Sequence, residues 1–217
     1  MRAAVTILLA AWLALVVLLG ATGSFTTPDG EPPVPILLGA VGPVVLFLLA
    51  YALSGSVRAF VHGVDLRLAT TIQAWRFAGI AFIALYTYNI LPGSFAWPAG
   101  LGDIAIGLTA PWVALALTRR PAFAASRVFV VWNLLGMLDL VSAIAAGGAS
   151  SALATGTAGE VTTRPMSLLP LVLVPGYFVP LLFILHVVAL VQSRRMARSE
   201  STADWAGTGA ARHPACA

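Results

Sequence analysis

The sequence predicts an all-α polytopic membrane protein, a bundle of six transmembrane helices with both termini cytoplasmic. Three observations lead there. The chain is 59% hydrophobic and 9% charged, where soluble domains carry about 25% charged residues. Apolar runs of about 20 residues, the length that crosses a bilayer, recur along it. Its arginines cluster in alternate loops.

The first span covers about 3–22, AAVTILLAAWLALVVLLGAT, behind Arg2. A basic start and small residues at Ala21 and Gly23 also fit a signal peptide, but the apolar run exceeds a usual signal core. A retained helix is expected; cleavage would leave five spans. The loop SFTTPDGEPPVP carries only Asp29 and Glu31. Span two is about 35–54, softened by Gly39, Gly42 and Pro43. The loop SGSVRAFVHGVDLR holds Arg58 and Arg67.

Spans three and four are expected at about 68–90 and 99–118. Between them Pro92, Gly93 and Pro98 argue against continuous helix, since proline lacks a donor and clashes with the preceding turn. Trp97 is placed there as an interfacial anchor. RRPAFAASR follows, with Arg119, Arg120 and Arg127. Span five is about 128–147. The small-residue loop GGASSALATGTAGEVTTRP leads to span six at about 167–192, with Pro170, Pro175 and Pro180 near its start. The domain is expected to end near 198, with 199–217 a disordered cytoplasmic tail.

Counting the side of Arg2 as inside, the inner loops and tail collect ten of the 12 arginines; the outside holds Arg164, and Arg76 is intramembrane. The chain has no lysine. Its basic balance is therefore read as topology, not as affinity for nucleic acid. Abundant Ala, Gly and Val with arginine as the sole long basic residue suggests a bacterial source, hence a cell inner membrane. The only cysteine is Cys216, so no internal disulfide is available.

Four ionisable residues fall inside the spans: Arg76, Asp103, Asp139 and His186. A charge at membrane depth costs about 2.5–3.5 kcal/mol on insertion scales, and such residues face a protein interior or a wet cavity. At 1.5 Å per residue the inner ends lie about 13 Å from Arg76, 18 Å from Asp139, 22 Å from Asp103 and 9 Å from His186. Side chains lean towards a helix N-terminus. Asp139 and His186 thus lean to the level of Arg76, while Asp103 leans to an outer vestibule. Gln73 shares a face with Arg76, continued by Ile80 and Thr87. Asn133, Gly136 and Asp139 share another; Asp103, Gly107, Ala110 and Pro111 a third.

The candidate polar site is therefore Gln73, Arg76, Asp103, Asn133, Asp139 and His186. Three of them have a bland alternative. Arg76 could snorkel to headgroups. Asp103 could cap the first turn of its helix. His186 could be a packing residue. Ordinary close packing accounts for the glycines.

No HExxH helix, Walker A loop, paired acidic metal motif or GxSxG elbow occurs. One intramembrane histidine cannot supply a bis-His haem. No metal and no cofactor is expected.

The run Gln73–Ala74–Trp75–Arg76, then Leu91–Pro92 and Phe95–Ala96–Trp97–Pro98–Ala99–Gly100–Leu101–Gly102–Asp103, with ILHVVALVQ around His186, resembles uncharacterised bacterial multi-span inner-membrane proteins. The resemblance implies a compact multi-span fold and assigns no catalytic residue. A small transport or ligand-binding protein is the leading expectation, with membrane lipids, a small molecule and a second copy of the chain as partners. An enzyme acting on a lipid or isoprenoid headgroup, and a non-catalytic assembly or sensing subunit, are the alternatives.

Overall fold

A computed structural model describes residues 2–28 and 30–210, with side chains described for 3–28 and 30–198. It is all-helical among the described residues, with six helices long and apolar enough to cross a membrane. The protein is an integral, multi-pass membrane protein.

The helices are α1 (Arg2–Ala21), α2 (Val34–Leu53), a short α3 (Gly55–His62), α4 (Leu66–Ile72), α5 (Ile80–Thr87), α6 (Gly93–Arg119), α7 (Arg127–Ala152) and α8 (Val179–Ala210). A 3-10 segment, Gln73–Gly79, joins α4 to α5, and the three together make the third span, Leu66–Thr87. Polar side chains set the helix starts on the Arg-rich side. Ser54 accepts from the Val57 amide before α3, and Ser126 from the Phe129 amide before α7. Asp65 accepts from the Arg67 amide at 2.8 Å before α4. Each oxygen satisfies a donor that the first turn leaves open.

Asn89, with φ 55°, ends α5. An asparagine in the left-handed region is a common helix stop, and the Ile90 amide turns back to the Leu85 carbonyl at 2.9 Å. The third span therefore closes before 90. The fourth starts earlier than 99, because Pro98 lies inside α6 and not in the hinge. At the sixth position of the helix its missing donor leaves only one early carbonyl, that of Ser94, without its usual partner. The sixth span moves the other way, to Val174–Arg198. It opens with a π-helical turn over Val174–Phe178 that holds Pro175; with Pro170 and Pro180 alongside, regular helix does not form until Val179. Helix α8 is continuous to Ala210, through the first part of the stretch expected to be a disordered tail; 211–217, Met1 and Asp29 lie outside the described residues.

The core is built around α6, which packs against the 3-10 segment, α4, α5 and α7. One apolar cluster joins Phe82, Leu91, Phe95, Ala96, Ala99 and Met166; another joins Leu66, Leu117, Ala124, Phe129 and Ala189. Helix α1 lies at the edge, touching the rest through Val16 and Gly20 and through Trp12 against Tyr177. The polar residues sit among α6, α7, α8 and the 3-10 segment.

Candidate functional site

The 3-10 segment creates the site. With three residues per turn, side chains three apart line up. Gln73, Arg76 and Gly79 are all buried on that line, and Phe82 extends it. Ile80 and Thr87, expected on this face, are exposed, because the expectation assumed 3.6 residues per turn. The Arg76 side chain is only 1% exposed, so it does not snorkel.

Arg76 reaches three neighbouring helices. Its Nε donates to Asp103 Oδ1 on α6 at 2.7 Å. Nη1 donates to the Gly136 carbonyl on α7 at 3.1 Å and to His186 Nε2 on α8 at 3.2 Å. Nη2 is ion-paired to Asp139 on α7. Four of the five guanidinium donors are thereby used. The arrangement meets the main demand of a buried charge, which must be both paired and hydrogen-bonded.

The histidine tautomer follows from these partners. Arginine has no acceptor, so His186 Nε2 must accept. Nδ1 then carries the hydrogen and donates to Asn133 Oδ1 at 2.9 Å. Asn133 in turn donates through Nδ2 to the Phe129 carbonyl at 2.8 Å. Within this network His186 is neutral. A second proton would put two donors, and two positive charges, face to face. The Trp132 ring meets the imidazole in a tilted, edge-type contact at 5.6 Å between centroids, and the Trp132 indole nitrogen donates to Thr109 at 2.9 Å.

All six candidates are thus near one another, in one network except for Gln73. Gln73 is buried next to it on the 3-10 line; its Nε2 donates to the Leu182 carbonyl at 3.0 Å, and its Oε1 has no partner among the described residues. Asp103 departs from the expected place. It is neither a first-turn cap nor apart from the others: α6 begins at Gly93, ten residues earlier, and the Arg76 guanidinium reaches Asp103 from the 3-10 segment. His186 is deeper than the expected 9 Å. The last span runs on to Arg198, which puts His186 about 18 Å from that end, level with Asp139.

Glycines let the helices close on these side chains. A Cβ at Gly79 would run into Asp103, one at Gly102 into Asp139, and one at Gly136 into the His186 ring. At Gly107 it would meet the backbone of Arg76 and Phe77. Gly107 and Gly136 stand on expected faces. Gly79, Gly102 and Trp132 were missed, although Gly79 follows Gln73 and Arg76 at the same three-residue interval.

Asp103 and Asp139 differ in what their remaining surface meets. Asp103 is 18% exposed and lines a narrow cleft of about 60 Å³. The cleft runs past Phe82, Phe95, Ala143 and Gly147 to Thr163 and Ser167, in the loop between α7 and α8. Among the cluster residues it is Asp103 that lines this cleft.

Outside the spans, two carboxylates are tuned by local hydrogen bonds. Arg67 donates to Asp65 and holds its carboxyl below the ordinary value. Glu160 is lowered chiefly by the Thr155 side chain, with the Thr155 and Gly156 amides adding to it.

No curated protein and no solved structure is detectably similar to the chain. A family model described as a domain of unknown function, DUF8737, matches residues 33–194. The match holds spans two to six up to Arg194 and all six candidate residues, and leaves α1 outside. With well over half of its length matched, the chain belongs to the DUF8737 family.

Proposed function

We propose that the protein is a small transport or ligand-binding protein of a bacterial inner membrane, with its working site at Gln73, Arg76, Asp103, Asn133, Asp139 and His186. The observation that carries this reading is one guanidinium shared by two carboxylates at the end of a cleft. Full ionisation leaves the cluster with one negative charge in excess, since His186 is neutral there. A bare surplus charge in low dielectric is costly. A proton or a ligand group that approaches Asp103 offsets it.

The same cluster ties the 3-10 segment to α6, α7 and α8. A ligand that competes with Arg76 for a carboxylate loosens one of these ties. Binding is thereby linked to helix position, the minimum that transport requires. The arginine bias puts both termini in the cytoplasm and the mouth of the cleft outside.

Asp139→Asn tests the reading. The purified variant is expected to stay folded by size exclusion while losing the thermal shifts that ligands give the parent. Hits that survive in Asp139→Asn, or a variant that does not fold, would make the cluster structural. Topology is checked at Cys216, the chain's only cysteine. An impermeant maleimide should label it in inverted vesicles and not in intact cells.

A further inference from the structure

We infer that the cleft above Asp103 takes the head of a single-chain cationic amphiphile, a long-chain primary amine in its ammonium form, which enters sideways from the bilayer. This names the ligand class for the site proposed above and rests on that reading.

The first observation is chemical. Asp103 Oδ1 is held by Arg76, but Oδ2 has no hydrogen-bond partner among the described residues. Asp103 lies at the cleft, where the remaining walls are apolar apart from Ser151, Thr163 and Ser167. The space near 60 Å³ exceeds the roughly 10–15 Å³ that one water-sized group requires. An ammonium has that size and three donors. It supplies the positive charge that the cluster of Arg76, Asp103 and Asp139 lacks. An anion would add to the surplus, and a neutral hydroxyl would leave it.

The second observation is the path. A groove of about 490 Å³ lined by apolar residues, among them Val41, Val44, Val141, Ala145, Pro180 and Phe183, runs between α2, α7 and α8. Its walls share Leu37, Leu140, Ile144, Gly148 and Val179 with the cleft. Leu37 alone closes on Gly148, where a Cβ would find only the Leu37 Cδ2, at 3.6 Å. Leu37, whose side chain is able to change rotamer, therefore stands in a wall common to groove and cleft. The groove is lined by apolar residues along its length, so the tail never has to leave an apolar surrounding.

The test uses the full chain in lipid nanodiscs, with melting followed in the presence of dodecylamine, dodecanol or dodecanoate. Dodecylamine is expected to raise the melting temperature by several degrees, and the alcohol and acid not to. Asp103→Asn should abolish the shift. Ala143→Trp, which fills the cleft and leaves the ion pairs in place, should abolish it too, so a folding defect in the first variant does not decide the matter. Equal shifts with amine and alcohol would overturn the ammonium site, as would an amine shift that survives both variants. Shifts from another ligand class that vanish in Asp139→Asn would sink the amine and leave the binding function standing. Absence of any ligand shift would sink both.

Discussion

The first two spans and the next two are opposites. Those of α1 and α2 are the most apolar, with mean hydropathy 2.6 and 2.5, yet only 11% of each is buried inside the protein. The third and fourth have hydropathy 1.4 and 1.5, and 33% of each is buried. In water the order would be reversed. In a bilayer lipid is as apolar as leucine, so apolar surface gains nothing by facing a protein interior. What gains is polar side chains, which find partners, and small ones, which allow close approach. Arg76 and Gly107 are interior for the reason that Leu8 and Leu46 are not.

The largest effect that would break this contrast is at Arg76. Arg76→Leu strips two carboxylates of their shared partner. Breaking a buried ion pair from one side costs about 3–5 kcal/mol, and here two pairs go together. A large drop in melting temperature in detergent is expected. Leu8, 67% exposed on α1, is the control: Leu8→Ala should move stability by about 0.5 kcal/mol or less. Equal losses at both positions would mean that α1 is as integral as the third span.

Glycine gives the next test, because a methyl group added at two helical positions meets opposite surroundings. At Gly107 a Cβ runs into the backbone at Arg76 and Phe77, which cannot turn aside. Gly107→Ala should cost at least the usual 1–3 kcal/mol or so of overpacking. At Gly42 on α2 nothing lies within 4 Å. Gly42→Ala should be neutral or stabilise by about 0.5–1 kcal/mol, the ordinary helix gain. Thermal melts of the two variants in one detergent decide it.

A smaller and sharper effect is the coupling of Arg76 to Asp139. In a double-mutant cycle on thermal stability with Arg76→Leu and Asp139→Leu, contact between the two should appear as about 1 kcal/mol or more of non-additivity. Arg76 paired with a lipid-facing leucine of α1 should be additive. Additivity in both cycles would dissolve the cluster.

These tests also mark what sequence reading could and could not reach. Six apolar runs were legible, since a hydrophobic stretch needs no partner to declare itself. So were the polar residues within them, because a charge in lipid is conspicuous. The convergence of Asp103 on Arg76 was not. It depends on a long side chain that reaches across from the 3-10 segment, and on a proline that α6 tolerates near its start. The depth of His186 was misjudged because the last helix does not stop at Gln192 but runs on past Arg194 and Arg195. Gly79 and Gly102 were hidden because a glycine's significance lies in what packs on it, and that belongs to another helix.

The smallest expected effect lies outside the bilayer, at the loop beyond α7. Glu160 accepts from the Thr155 hydroxyl at 2.9 Å and from the Gly156 amide at 2.9 Å. Its carboxyl is held below the ordinary value, first by the Thr155 side chain. A lowered folded value means that the contribution to loop order is complete above the unfolded value and is lost as pH falls through the folded one. The Gly156 amide resonance should therefore shift with an acidic midpoint below that of an unstructured glutamate, and Glu160→Gln should remove the titration. The loop reaches the mouth of the cleft through Thr163, yet its acid is solvated and partnered by neutral groups, in contrast to Asp103 and Asp139. The melting temperature should accordingly change little across the Glu160 midpoint. A large drop there would tie the loop to the core and erase the distinction between a wet carboxylate that orders a few residues and buried ones that hold four helical segments together.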